Sequence, residues 1–202
     1  MSYRTEVGPY PMPLRGLTPA RLRKVFAAIE QQLPRRIQNI SDFIYAERGV
    51  LITPSSSDEV IDQLPGLIAS LGGLVILTEA QFEARIAHAR PQAKDALRTV
   101  MNKEALDEPT QVMVFDGALL WGEVFRTRYH HADWTIYSRR KSSVDYGNPI
   151  LVPAPPNAYF FNPFRELYGK VGLELFGTPS RNSLSRIMLI RAFEFGLGPD
   201  PF

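Results

Sequence analysis

Apolar residues recur at helical spacing through the first half of the chain. Thr18 and Pro19 form an N-cap and first-turn pair, and Leu22, Val25, Phe26, Ile29 and Leu33 follow as one stripe. Pro34 is expected to stop or restart this helix, after which Ile37, Ile40 and Ile44 share a face as far as Arg48 and Gly49. Val50 to Ile52 reads as a short strand. Ser57 then caps a third helix with Asp58 and Glu59 in its first turn, and Val60, Ile61, Leu64, Leu67, Ile68 and Leu71 along one face. Pro65 predicts a kink there. Leu74 to Leu77 reads as a buried strand, and with residues 50–52 and the helix between them it predicts a small right-handed βαβ unit. Thr78 and Gln81 make a capping-box pair ahead of Phe82, Ile86, Ala89, Ala93, Leu97 and Val100, a stripe that continues past Pro91.

From Thr110 the pattern changes. The run QVMVFDGALLWGEVFRTRY is apolar on both faces around Asp116 and Gly117, a pair that favours a hairpin turn, and it predicts two strands. A second turn at His131 and Ala132 would return the chain as a strand from Asp133 to Arg140. Prolines 149, 153, 155, 156 and 163 predict an extended crossover with little ladder bonding. Leu184, Ile187, Met188, Ile190 and Phe193 predict a closing helix from Ser183 to Phe195. The first 17 residues, with Pro9, Pro11, Pro13 and Gly16, have no period and read as an extended arm.

The expected architecture is therefore α+β, with residues 1–202 as one domain. It comprises an arm (1–17), a mainly helical part with the βαβ unit (18–105), an antiparallel β-meander (110–152), and a proline-rich crossover with a C-terminal helix (153–202).

Composition narrows the function classes. With no cysteine, disulfides, thiolate metal sites and cysteine nucleophiles are excluded. A cytoplasmic location is the expectation, since MSYRTEVGPYPMP also lacks a basic stretch followed by an apolar one. The longest mostly apolar stretch, Leu67 to Leu77, is about half the roughly 20 residues that span a bilayer, so no membrane partner is expected. A net charge of +2 does not mark a nucleic-acid-binding protein, so such a reading must rest on local clustering.

Catalytic motifs are sparse. YGKV at 168–171 lacks the glycine and hydroxyl of a phosphate loop, with Phe164 and Val171 at those positions. His88 lies off its helical stripe and reads as a surface residue. The carboxylates and imidazoles near the expected sheet, Asp116, Glu123, His130, His131, Asp133 and Asp145, offer the donor types a hydrolytic metal site uses, with Asp116, Glu123, His131 and Asp133 as the catalytic candidates. Their spacing is not that of a metal motif, and Asp116 and Asp133 have sufficient reasons in turns. No metal or cofactor is expected.

The segment FRTRYHHADWTIYSRR concentrates Arg, Tyr and Trp, the residue types that supply most interface energy. On a hairpin, Phe125, Thr127, Tyr129, Trp134 and Ile136 would share a core-like face, and Arg126, Arg128, Thr135, Tyr137 and Arg139 a basic one. Arg140 and Lys141 would extend that charge. The function expected is non-enzymatic binding of a protein partner, as an adaptor, toxin-neutralising protein or accessory factor. Its contact residues would be Arg126, Arg128, Tyr129, His130, His131, Trp134, Tyr137, Arg139 and Arg140. Nucleic-acid binding or metal-dependent nuclease activity on the same basic face is the alternative.

Overall fold

A computed structural model describes Tyr3 and residues 17–87, 91–100, 103–178 and 182–201. Most of the expected arm, and His88, lie outside the described residues. The fold is α+β, with helices in more than half the chain and two antiparallel sheets of two strands each.

Helix α1 runs from Pro19 to Arg48, starting at Thr18, whose hydroxyl accepts from Arg21 N, and ending at Gly49 with φ 70°. Pro34 does not break it. The buried positions Leu22, Ile29, Arg36, Ile40 and Ile44 keep one phase across the proline. One buried face therefore holds both halves in line, while Pro34 itself is exposed and its missing N–H costs a single bond on the solvent side. Residues 50–52 are not a strand: Ile52 is buried and its carbonyl accepts from the Ser41 hydroxyl. The βαβ unit is thereby overturned.

The third predicted helix divides near Pro65 into α2 (Asp58–Ile61) and α3 (Leu64–Leu71). Strand β1 (Leu74–Ile76) pairs antiparallel with β2 (Glu104–Leu106), and between them lie α4 (Glu79–Ile86) and α5 (Pro91–Val100). The capping box is present, with Thr78 N donating to Gln81 Oε1 at 2.9 Å and Gln81 N to Thr78 Oγ1 at 3.3 Å. β1 is not the buried strand expected, because Val75 and Ile76 are exposed.

The largest departure is α6 (Glu108–Arg128), a single helix where two strands of the meander were expected. Asp107 caps it, accepting from Thr110 N at 2.9 Å, with Glu108 in the first turn and Arg126 and Arg128 in the last. The helix is buried on all sides from Val112 to Gly122, packed against α1, α3 and the later helix α7 (Pro163–Leu175). A fully enclosed helix carries no polar face, so periodicity cannot reveal it. Gly117 makes no turn. A Cβ there would stand 2.9 Å from Ile68 Cδ1 and 3.2 Å from Leu167 Cδ2, so its small size lets α3 and α7 approach.

Strand β3 (Ala132–Ile136) pairs antiparallel with β4 (Pro149–Pro153), Thr135 opposite Ile150. Leu151 exchanges both backbone bonds with Phe161, at 2.8 Å each, so the odd positions of β4 face away from β3. Pro149 and Pro153 share that parity and remove no inter-strand bond. Asn162 caps α7, which sequence reasoning missed, and Ser183 caps α8 (Leu184–Glu194), which it anticipated.

The main apolar cluster is centred on α6 and includes Leu119, Leu120, Trp121, Phe125, Phe161, Phe164 and Leu167. Among the described residues, no helix is long and apolar enough to cross a membrane.

Candidate functional site

With the meander replaced by α6, the expected binding residues scatter. Arg126 lies in the last turn of that helix, its Nη1 donating to Glu123 Oε1 at 2.8 Å and its Nε to Ala132 O at 3.0 Å. Glu123 also accepts from Trp134 Nε1 at 2.6 Å, so this catalytic candidate is occupied in joining α6 to β3. Arg128 donates to Asp58 and, at 2.5 Å, to Ser56 O, anchoring the loop before α2. These two arginines are therefore clamps between elements and not a shared basic face. Trp134 is half-buried, its ring laid over Gly122, where a Cβ would come within 2.2 Å of Trp134 Cζ2. Tyr129 packs on Phe125 at 5.0 Å, and burial raises its phenol above the usual tyrosine range.

His130 and His131 are exposed in the link from α6 to β3. His131 takes a φ of 73°, which reverses the chain there, and its carbonyl accepts from Ala154 N at 2.6 Å. Asp133 is exposed on β3. Asp116, expected in a turn, lies deep inside α6. Its Oδ1 accepts from Arg36 Nη1 at 2.6 Å and its Oδ2 from the Tyr3 hydroxyl at 2.7 Å, and both charged side chains of the ion pair are fully buried. Loss of water pushes its carboxyl up, against the pull of Arg36 and Tyr3. Arg36 further stacks over Phe115 at 5.1 Å, and Tyr3 packs on Phe43 at 4.9 Å. Among the described residues, no three His, Asp or Glu side chains converge where a metal ion could be held.

A different set of expected residues does come together. Thr135 and Ile136 of β3, with Tyr137, Ser138 and Arg139 just beyond it, form one side of a cleft of about 290 Å³. Ile150 and Val152 of β4, with Pro156, Tyr159 and Phe160 beyond it, supply the rest of its lining. Tyr137 and Phe160 rest ring against ring at 5.0 Å, whereas Tyr159 is 52 % exposed. The proline-rich crossover is thus one wall of the cleft, and sequence reasoning missed Tyr159 and Phe160 for that reason. An adjacent pair of aromatics within five residues of three prolines was the available signal.

The turn beyond β3 is firmly built. Asp145 is buried beneath it and accepts from Ser143 Oγ at 3.2 Å, from Asn162 Nδ2 at 2.8 Å and from Arg165 Nη1 at 3.2 Å, fastening the turn to the start of α7. Tyr146 is buried against Leu22 and Ile136, and its hydroxyl donates to Leu17 O at 3.0 Å. Gly147 N and Tyr137 N close the base, donating to Tyr137 O at 2.8 Å and Asn148 O at 2.9 Å. Asp145, an expected metal-site carboxylate, is instead this anchor. On the framework stand Arg139, Arg140 and Lys141, consecutive and exposed, with no ion pair among the described residues.

Such an arrangement can hold a small apolar group in a partly aromatic recess while three positive charges meet an anionic neighbour. Comparison with known proteins finds no matching family model, no matching curated sequence and no matching solved structure.

Proposed function

We propose that this chain is a non-enzymatic binding protein that engages a protein partner through the β3–β4 cleft and the turn beside it. One observation carries the reading. Among the described residues, Arg139, Arg140 and Lys141 have no acidic partner and follow one another beside an apolar, aromatic recess, whereas Arg36, Arg98, Arg126, Arg128, Arg165 and Arg191 are all paired. Free cations beside an apolar hollow on a rigid turn are the elements from which specific interfaces are built: an anchor pocket for affinity and rim charges for steering. The residues bet on are Tyr137, Arg139, Arg140, Lys141, Tyr159 and Phe160.

Nucleic-acid binding keeps one supporting observation, the exposed ring of Tyr159 near Arg139, since a base can stack on a free aromatic face. A pull-down separates the readings. The tagged chain, its Tyr159→Ala variant and its Arg140→Ala/Lys141→Ala variant are each incubated with host lysate, with and without nuclease. A protein retained stoichiometrically after nuclease by the parent, and lost from both variants, is the expected result. Recovery of nucleic acid, with every protein lost on nuclease treatment, would replace the reading with its alternative.

A further inference from the structure

The cleft itself indicates what occupies it. Resting on the binding function proposed above, we infer that the β3–β4 cleft receives an acidic, extended peptide segment of the partner, with one apolar side chain in the recess and its carboxylates against Arg139, Arg140 and Lys141.

Size supports one inserted side chain. A volume of about 290 Å³ is at the lower limit of small-molecule sites, too little for a nucleotide-sized cofactor and enough for one bulky side chain with its backbone. The walls support an apolar one. Ile136, Ile150, Val152 and Pro156 are aliphatic, and Tyr137 and Phe160 spend ring surface on each other. That leaves Tyr159 as the one broadly exposed ring of the site. A platform for successive bases needs several free rings, so the lining favours a peptide over single-stranded nucleic acid.

Charge fixes the orientation. Asp133 and Thr135 alternate along β3, and Arg139 follows in the lining beyond its end, so the run is acidic at its start and basic at its end. Asp145, beneath the turn, is buried and its carboxylate is held by Ser143, Asn162 and Arg165. An incoming segment therefore meets Arg139 in the lining with Arg140 and Lys141 exposed on the turn just beyond it, and Asp133 exposed before Thr135 at the opposite end. Acidic residues beyond the inserted side chain match the first, and a basic or neutral residue before it matches the second.

The test is fluorescence anisotropy with four labelled probes on the full chain. The first is a short peptide with aspartates and glutamates following one tryptophan. The second replaces its acidic residues by lysine, the third replaces its tryptophan by serine, and the fourth is an oligodeoxythymidine of equal length. The first probe is expected to bind best and to weaken as salt rises from about 50 to about 500 mM. The second and third should bind at least about tenfold more weakly, since one loses the charge match and the other the inserted anchor. Arg139→Ala should weaken the first probe by about tenfold. Tyr159→Ala should bring it close to the serine probe. Both variants alter exposed side chains, and unchanged melting temperatures verify that they fold.

Equal binding of the lysine or serine probe, tighter binding of the oligonucleotide, or no binding of the first probe each overturns the inference. A partner still captured by the parent and lost from the cleft variants would then leave the binding function standing and remove only the acidic occupant. Loss of neither partner nor probe in any variant removes both.

Discussion

Two groups of cations in this molecule have opposite fates. Arg36 is sealed in the core against Asp116, with Tyr3 completing the carboxylate's bonds, while Arg139, Arg140 and Lys141 stand in solvent on a braced turn with no carboxylate partner among the described residues. A buried pair is costly to assemble and costly to break, because removing one member leaves the other charged and dry. An exposed, unpaired cation costs nothing to keep and contributes little to folding. Position therefore separates charges that specify the structure from charges that are available to a partner.

Replacing Asp116 by Ala should have the largest effect, lowering stability by about 3–5 kcal/mol in urea unfolding through the stranded Arg36 guanidinium. The double change Arg36→Met with Asp116→Leu should restore much of that loss; a double variant no better than the single one would place the cost in packing instead of charge. The clamps come next. Arg126→Ala combined with Arg128→Ala removes bonds to Ala132 O, Glu123, Ser56 O and Asp58, and about 1–3 kcal/mol of stability is expected to go with them. No change in melting temperature would return these arginines to the class of free surface charges.

Tyr3→Phe removes only the hydroxyl that donates to Asp116 and should cost about 1–2 kcal/mol at neutral pH. Its pH profile is more telling. Burial, then the Asp116 charge, raises the Tyr3 phenol far above its ordinary range, so the folded state keeps a proton that the unfolded state releases above about pH 10. That contribution is complete below pH 10 and falls by about 1.4 kcal/mol per pH unit above it, a slope that Tyr3→Phe should lack when the two are unfolded side by side. The smallest effect belongs to Arg140→Ala with Lys141→Ala, within about 0.5 kcal/mol of the parent by calorimetry. A loss as large as that of the clamp variant would mean the turn depends on these side chains, and the contrast would fail.

How legible this was in the sequence varied with burial. Elements with one wet face announced themselves: α1, α4 and α8 through caps and stripes, including Thr18, the Thr78–Gln81 box and Ser183. α6 did not, since residues enclosed on every side carry no period, and Asp116–Gly117 then resembled a turn. Better guides were Asp107, Pro109 and Thr110 at its start, and a 21-residue length that no strand reaches. Similarly, the stripe Leu33, Ile37, Ile40, Ile44 keeps its phase through Pro34, a sign of one helix. Of the expected binding residues, Tyr137 and Arg139 line the cleft, although β3 stops at Ile136, short of the Arg140 expected, and the consecutive residues 135–139 all line it. Arg126, Arg128 and Trp134 were lost to it with the hairpin. Arg36 and Asp116 were invisible as a pair, because 80 residues separate them and nothing local couples them.

The bond between Tyr3 and Asp116 spans 113 residues, and that span has a temporal meaning. During synthesis at about 5–20 residues per second, Tyr3 is made on the order of ten seconds before its acceptor exists. Arg36, too, waits for its counter-ion, so α1 must spend that interval with a charge on the face it will later bury. Closure of the core around Asp116 thus waits for α6, and Tyr3 and Arg36 are satisfied only once it arrives.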